Sequence, residues 1–225
     1  MEDGKTMTKI NVLYEDNHII VVEKPINVLS QGDSTGDVDL LSMVKLYVKE
    51  KYKKPGNVYL GLIHRLDRPV GGIMVFARTS KAASRLTKQV QEHAITKKYY
   101  AIVHGKLEKT SDILIDYLEK LDNGSTIVSK KGKRAELSYR VIKYLANDDI
   151  SLVDIELKTG RHHQIRVQFS SRGHAICGDQ RYGILDNRQI ALYAYSLSFD
   201  HPITKERLTF SLKPPKFDYW TKFTL

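Results

Sequence analysis

The chain has 225 residues, 41% hydrophobic and 28% charged, a composition that indicates one globular domain and excludes a disordered or fibrous chain. Lysine and arginine outnumber aspartate and glutamate by 36 to 26, and this net charge of +10 favours an anionic partner such as nucleic acid or an anionic membrane surface. Solubility alone is the alternative explanation of the charge. A single cysteine, Cys177, excludes an internal disulfide framework and a cysteine-rich zinc module, and it fits a reducing, cytoplasmic setting. No apolar run is long enough to span a bilayer, and residues 1–9 are expected to form a disordered tail.

Apolar patterns along the chain predict many short strands with a few helices between them. Strands are predicted at residues 10–14, 19–23, 59–63, 73–77, 99–104, 137–145, 152–157, 192–199 and 207–212. Helices are predicted at 40–51, 79–93 and about 162–172. Thr79 or Ser80 is expected to cap the second helix.

Residues 106–134 lack a clear period, so the sequence predicts an irregular insertion there. The insertion ends in a basic cluster that consists of Lys130, Lys131, Lys133 and Arg134.

A loop between two predicted strands carries Asp67, with Arg65 and Arg68 on either side of it. Nearby positive charge favours the ionised form of a carboxylic acid. An ionised aspartate on a loop that strands hold in place suits a nucleophile or a general base. A purely structural Asp–Arg ion pair beside a turn is the alternative.

The segment 159–166 leads from a strand end through a glycine turn into the third predicted helix. Arg161, His162, His163 and Arg166 stand at the start of that helix, where backbone N–H groups and basic side chains favour phosphate binding. The spacing places both histidines and Arg166 on one helical face. A metal site is disfavoured because adjacent histidines on a helix point in different directions. A solvated basic helix end is the alternative.

Strand alternation places Tyr99 and Tyr100 on opposite faces of the strand predicted at 99–104, so one of them faces the core or a site. Tyrosines beside Lys97 and Lys98 can stack on bases while the lysines bind phosphates. Ordinary core packing is the alternative.

Taken together, these segments resemble the RluA-type pseudouridine synthases. The matching stretches are residues 14–25, which are similar to the family's opening strand pair, 64–68 (HRLDR), 72–78 (GIMVFAR), 99–105 (YYAIVHG), 159–166 (TGRHHQIR) and 173–183. The resemblance covers about residues 10–215, and the motifs follow the family's order.

The resemblance implies an α+β fold, with a mixed, mostly antiparallel central sheet, flanking helices and a central active-site cleft. It implies one stand-alone catalytic domain over residues 1–225, without an N-terminal S4-like RNA-binding domain. The implied activity is the isomerisation of uridine to pseudouridine in ribosomal or transfer RNA, with no cofactor and no metal. We therefore expect a cytoplasmic monomer that binds RNA and no membrane.

Position within the motifs implies a role for individual residues. Asp67 matches the family's catalytic aspartate, and Arg166 matches the arginine that pairs with it. Tyr99 matches the tyrosine that stacks on the target base and is proposed to act in proton removal. RNA contacts are predicted for His64, Arg65, Arg68, Arg161, His162, His163, Gln164, Lys130, Lys131, Lys133 and Arg134.

Two places differ from the family's pattern. Val70 and Gly71 stand where the family usually has Thr-Ser, and Tyr193 replaces the histidine of a late L-H-A motif. We expect activity nonetheless, because the three catalytic positions are retained. Two other functions stay open: an RNA-binding module with a structural Asp67, and a glycosidase, for which a second acid near Asp67 is not evident.

Overall fold

The structure is a computed structural model and describes residues 10–224. One sheet contains all eleven strands of this part of the chain. The tail predicted at 1–9 lies outside the described residues. The strands are β1 (Asn11–Glu15), β2 (Ile19–Lys24), β3 (Gly61–Leu62), β4 (Gly71–Ala77), β5 (Thr96–His104), β6 (Ser111–Lys120), β7 (Thr126–Val128), β8 (Lys133–Leu145), β9 (Ile150–Leu157), β10 (Leu192–Asp200) and β11 (Arg207–Ser211). The helices are α1 (Leu40–Lys51), α2 (Ser80–Gln91) and α3 (Gln164–Ser170), followed late in the chain by a 3₁₀ turn at Asp218–Lys222.

Strand order confirms the predicted fold class. The order is β1-β2-β4-β10-β5-β9-β8-β6-β7, with β3 added to β4 and β11 added to β10. Strands β4 and β10 run parallel, and the other pairings between described strands are antiparallel. Within residues 10–224 no helix is long and apolar enough to cross a membrane.

Helices α1 and α2 cover opposite faces of the sheet at β2 and β4. On one face, Ile20 and Phe76 share a buried cluster with Val44 of α1. On the other face, Val21 packs in a second cluster with Leu86 of α2. Strands buried on both faces are apolar throughout instead of alternating, which explains the continuous apolar runs in the sequence.

Residues 106–134 do not form the irregular insertion that the sequence predicts, because β6 and β7 extend the sheet beyond β8. Leu114 and Leu118 are buried, each 5% exposed, on one face of β6. Ile113, Ile115 and Tyr117 alternate with them on the opposite face, where they are 58%, 48% and 50% exposed. Apolar residues on both faces hide the two-residue period, and this is why the pattern was misleading.

Helix α3 is shorter than the predicted 162–172. His163 precedes it with a φ of 51°, in the left-handed region, so helical geometry begins only at Gln164. The rings of His162 and His163 lie outside the helix and stack at 3.7 Å between centroids, instead of pointing in different directions as predicted.

The two departures from the family's pattern meet across the β4–β10 pairing, where Tyr193 lies opposite Gly71. A Cβ atom at Gly71 would lie 3.1 Å from the Tyr193 ring and 2.9 Å from Ile26 Cγ2. The Tyr193 hydroxyl donates to Glu23 Oε1 at 2.7 Å. Ile26 and the Tyr193 ring thus occupy the space that a side chain at position 71 would need.

The structure predicts that β6 contributes to stability through one face only. We expect Leu114→Ala to lower the free energy of unfolding by about 2–5 kcal/mol, because it leaves a cavity in the core. Ile113→Ala, one residue away on the exposed face, is the matched control and should change it by less than about 0.5 kcal/mol. Urea unfolding of both variants measures the difference. Equal, small effects would contradict the position of β6 in the sheet.

Candidate active site

A cavity of about 1500 Å³ opens beside β5, between the β3–β4 loop, the β9–α3 segment and the loop after α3. Asp67, Tyr99 and Arg166 all line it, so the structure brings the three predicted catalytic residues to one place. The volume exceeds the roughly 300–1,000 Å³ typical of small-ligand pockets. The predicted RNA contacts that also line the cavity are His64, Arg65, Arg68, Arg161, His162, His163 and Gln164.

The loop between β3 and β4 holds Asp67 from both sides. On one side, the Leu66 N–H donates to Ser30 Oγ at 3.0 Å, and the same hydroxyl donates back to the Leu66 carbonyl at 2.7 Å. On the other side, the Val70 N–H donates to the Asp67 carbonyl at 3.0 Å and closes a turn. Asp67 therefore stands on a backbone that hydrogen bonds fix immediately before and after it.

Lys24 anchors the same loop from beneath and was missed by the sequence reasoning. The buried ammonium donates to the carbonyls of Pro25 at 2.9 Å, Val28 at 2.5 Å and Arg68 at 3.0 Å. Burial lowers the pKa of Lys24 to about 7, and the charge of Asp67 opposes that shift. The one signal in the sequence was a lysine at the end of an apolar strand, directly before Pro25.

The two oxygens of the Asp67 carboxylate have different surroundings. Arg166 Nη1 donates to Oδ2 at 3.3 Å, and His163 Nε2 lies 3.7 Å from the same oxygen. Oδ1 has no hydrogen-bond partner among residues 10–224, although the side chain lines the cavity. One oxygen is held, and the other is available to a substrate.

Asp179, which the sequence reasoning also missed, positions Arg166. Arg166 donates from Nε to Asp179 Oδ2 at 2.8 Å and from Nη2 to Oδ1 at 2.7 Å. Burial alone would lower the pKa of Arg166, but the hydrogen bonds and charge of Asp179 outweigh burial and raise it. The N–H groups of Arg181 and Tyr182 also donate hydrogen bonds to Asp179 Oδ1, at 3.0 and 3.2 Å. This two-pronged pair leaves Nη1 of a permanent cation directed at Asp67.

A chain of hydrogen bonds holds the His163 ring. The Thr126 N–H donates to the Tyr182 hydroxyl at 2.8 Å, and that hydroxyl lies 2.6 Å from His163 Nδ1. Because Tyr182 accepts from Thr126, its own proton is free to point at Nδ1, an arrangement that favours the tautomer with the imidazole proton on Nε2, toward Asp67. Thr126 also bonds His162 through Oγ1, at 2.8 Å from Nδ1. The β6–β7 hairpin thereby reaches the site.

Burial keeps the histidines of the site neutral, so the positive charge around the start of α3 comes from the arginines. Burial lowers the pKa of His163 to about 4 and, with the help of Lys97's charge, that of His64 to about 3. Burial also lowers the pKa of His162. His64 accepts the Val75 N–H through Nε2 at 3.2 Å, a bond that ties the loop to β4.

Gln164 lines the cavity with an amide that is bonded within the chain. Its buried amide oxygen accepts from the Thr159 hydroxyl at 2.8 Å and the Arg161 N–H at 3.0 Å. Its amide nitrogen donates to the Glu136 carbonyl and to Gln168 Oε1, both at 3.0 Å. All the hydrogen-bonding capacity of the amide is used within the chain, so Gln164 holds the site together and has nothing left for RNA.

The arginines at the rim of the cavity are exposed, and two of them also form contacts within the chain. Arg68 pairs with Asp37 at 2.8 Å, and Arg161 donates from Nε to the Arg134 carbonyl at 2.9 Å. Arg65 is exposed and forms no ion pair with any residue from 10 to 224. The basic cluster of Lys130, Lys131, Lys133 and Arg134 is exposed on the β7–β8 turn and the start of β8, outside the cavity wall.

Tyr99 faces the cavity and Tyr100 the opposite side of β5, as the alternation predicts. Tyr100 stacks on Tyr195 with 3.8 Å between ring centroids. Tyr99 is nearly buried, and burial together with the charge of Asp67 raises its pKa. The phenol therefore stays protonated at neutral pH.

Neither a metal centre nor a reactive thiol accompanies these residues. Over residues 10–224, no group of three or more histidine, cysteine, aspartate or glutamate side chains is arranged to hold a metal ion. Burial raises the pKa of the Cys177 thiol to about 12, which suits a core residue.

Sequence comparison matches residues 18–171 to a family described as RNA pseudouridylate synthase. An uncharacterized RNA pseudouridine synthase of Aquifex aeolicus is 33% identical over 92% of the chain and 70% of the relative. Ribosomal large subunit pseudouridine synthase C of Buchnera aphidicola is 35% identical over 88% of the chain and 65% of the relative. Ribosomal large subunit pseudouridine synthase D of Vibrio cholerae is 33% identical over 92% and 68%. The chain thus spans about two thirds of these relatives' length.

Comparison with solved structures supports the same fold. A structure of human RNA pseudouridylate synthase domain containing 4 aligns with a TM-score of 0.78 over 94% of this chain and 90% of that one, at 21% identity. Human RNA pseudouridylate synthase domain containing 1 aligns with a TM-score of 0.75 at 22% identity.

Neutral, buried histidines predict that acid weakens the protein before its carboxylates titrate. The ordinary pKa is 6.5, against about 3 for His64 and about 4 for His163 in the folded state. Below pH 6.5 the unfolded chain therefore binds more protons, and the free energy of unfolding falls as pH is lowered toward 4. Urea unfolding at a series of pH values measures this slope, which His163→Asn should reduce. A slope that is flat in the wild-type protein would contradict the neutral state.

Proposed function

The chain belongs to the RNA pseudouridylate synthase family, and from this we propose that it converts specific uridines of ribosomal or transfer RNA to pseudouridine, with Asp67 acting at the ribose. The asymmetry of the Asp67 carboxylate carries the proposal. Oδ2 is held by a buried arginine, and Oδ1 faces a cavity large enough for a nucleotide. An activated, directed carboxylate of this kind suits attack on a sugar carbon or removal of a sugar proton.

The target uridine must first leave its base stack to enter the cavity. Extruding a nucleotide costs a few kcal/mol, and least where the base is already unpaired. Phosphate contacts from a protein with a net charge of +10 offset that cost. Uridines in loops and bulges are therefore the substrates that this mechanism favours.

Isomerisation then breaks the N1–C1′ bond, turns the uracil and rejoins it through C5. Asp67 Oδ1 either adds to C1′ or removes the C2′ proton. Both routes require an ionised carboxylate, and the cationic Arg166 pairs with Oδ2 at 3.3 Å. His163 adds a neutral Nε2–H donor on the same side.

The detached base must stay in the cavity while it turns. Tyr99 lines the wall near Asp67, and we propose that its ring stacks on the uracil and keeps water away. The further hypothesis, that Tyr99 accepts the C5 proton, requires a phenolate, which burial and the charge of Asp67 disfavour. Stacking is therefore the role that the surroundings of Tyr99 support.

We further propose that the described residues act as one catalytic domain, as a monomer in the cytoplasm, with neither cofactor nor metal. The chemistry needs only a carboxylate, a cation and a closed cavity. The non-catalytic alternative, an RNA-binding module, would give no reason for a buried Arg166 that is aimed at an otherwise free carboxylate.

Asp67→Asn should abolish turnover and leave RNA binding within about threefold of wild type, because it removes the reactive oxygen and little of the positive surface. Release of tritium from large-subunit rRNA and tRNA transcripts that carry 5-³H-uridine measures turnover, and filter binding measures affinity. Asp33→Asn, on the exposed rim of the same cavity, is the control and should retain activity. Turnover by Asp67→Asn would contradict the assignment.

Removal of the basic cluster should weaken RNA binding about tenfold. It should also reduce the steepness of the plot of log affinity against log salt concentration, by about 0.7 for each phosphate that is no longer bound. The test variant changes Lys130, Lys131, Lys133 and Arg134 to Gln. A control that changes Lys49, Lys53, Lys54 and Lys81 to Gln removes the same charge elsewhere on the surface. An affinity and a salt slope equal to those of the control would contradict a role for the cluster.

A further inference from the structure

The side chain of Lys97 places a positive charge in the cavity, and no other residue of the site pairs with that charge. It lies two positions before Tyr99 on the same face of β5, and both side chains line the cavity. Lys97 is partly buried, and none of residues 10–224 forms a hydrogen bond or an ion pair with its ammonium group. Its neighbour Lys98 points to the opposite face, where its ammonium lies 3.9 Å from Glu156 Oε2.

Gly160 leaves the space that the Lys97 ammonium occupies. A Cβ atom at Gly160 would lie 3.1 Å from Lys97 Nζ, and this is the one atom that it would meet within 4 Å. The φ angle of Gly160 is not in the left-handed region, so the backbone itself does not demand glycine. The Lys97 ammonium thus occupies the space that a side chain at position 160 would enter.

We propose that Lys97 binds the uracil ring as an anion once the N1–C1′ bond has broken, and this rests on the proposed isomerisation. The electron pair of that bond passes to the ring and spreads over N1, O2 and O4. The Lys97 ammonium donates a hydrogen bond to a ring oxygen and holds the ring while C5 turns toward C1′. When C5 bonds to C1′, the bond between Asp67 Oδ1 and C1′ breaks on the first route, and Asp67 returns its proton to C2′ on the second, so the carboxylate is ionised again. The C5 proton then passes to solvent and N1 gains a proton from solvent, so the product is neutral.

The surroundings of Lys97 favour a base oxygen over a backbone phosphate. Burial lowers the pKa of Lys97, as expected for an ammonium set back from the solvent-exposed rim where phosphates lie. Its charge also lowers the pKa of His64, three residues before Asp67, so the ammonium is close to the reacting loop. A poorly hydrated cation interacts strongly with charge that develops beside it.

Lys97→Met tests the subsite, with Lys98→Met as the matched control one residue away. Single-turnover tritium release, with enzyme in excess over the labelled transcript, isolates the chemical steps. We expect Lys97→Met to lower the rate constant by about 10²–10³-fold with RNA affinity within about threefold of wild type. Lys98→Met should stay within about threefold of wild type on both measurements.

Gly160→Ala provides a second variant that keeps the lysine. The added methyl group displaces the ammonium, so we expect a rate about tenfold below wild type. Added to Lys97→Met, the same change should cause no further loss, because both act on one group. Independent effects that multiply would contradict the link between Gly160 and Lys97.

Two results would overturn the subsite while wild-type release is intact. Lys97→Met could match Lys98→Met in rate, or it could weaken RNA binding and reduce the salt slope by about 0.7 without slowing release, which would assign Lys97 to a phosphate. Absence of wild-type release from rRNA and tRNA transcripts would instead contradict the proposed function, and the subsite with it. Circular dichroism of each variant confirms that the fold is retained.

Discussion

The buried positive charge of Arg166 is the constraint on which the site depends. An unpaired charge is costly in a protein interior, so the guanidinium requires carboxylates at fixed positions. Asp179 meets most of this requirement with two hydrogen bonds, and the backbone N–H groups of Arg181 and Tyr182 hold Asp179 in turn. Among residues 10–224, the remaining nitrogen, Nη1, donates to Asp67. The β3–β4 loop thus sets the position of the carboxylate, and the pairing of Arg166 with Asp179 sets the direction from which a cation reaches it.

The same network links distant parts of the chain to the reaction. Tyr182, which the Asp179 loop positions, bonds His163, and Thr126 from the β6–β7 hairpin bonds Tyr182. The exposed cationic groups lie on the rim and on the β7–β8 turn, whereas the two cations of the inner cavity wall, Arg166 and Lys97, are buried and partly buried. This division suits RNA, because phosphates are attracted to the outside while the inner cations are left for the reacting base and sugar.

Sequence reasoning found the strands and the motif residues because both have local signatures. It identified Asp67, Tyr99 and Arg166 through the resemblance, and the structure brings all three to one cavity. It missed Lys24, Asp179 and Thr126, whose importance comes from partners far along the chain. It misread β6, where apolar residues on both faces remove the period, and the start of α3, where the left-handed His163 delays the helix. The contact between Gly71 and Tyr193 likewise joins two strands that are far apart in the sequence.

Asp179→Asn, measured by single-turnover tritium release, tests the dependence of the site on the buried arginine most directly. Asparagine keeps the size of the side chain, but it removes the charge and places a donor against another donor of Arg166. We expect a rate constant about 10²–10³-fold below wild type, with RNA affinity within about threefold and an unchanged circular dichroism spectrum. A folded Asp179→Asn variant that isomerises uridine at the wild-type rate would contradict the dependence of the site on Arg166.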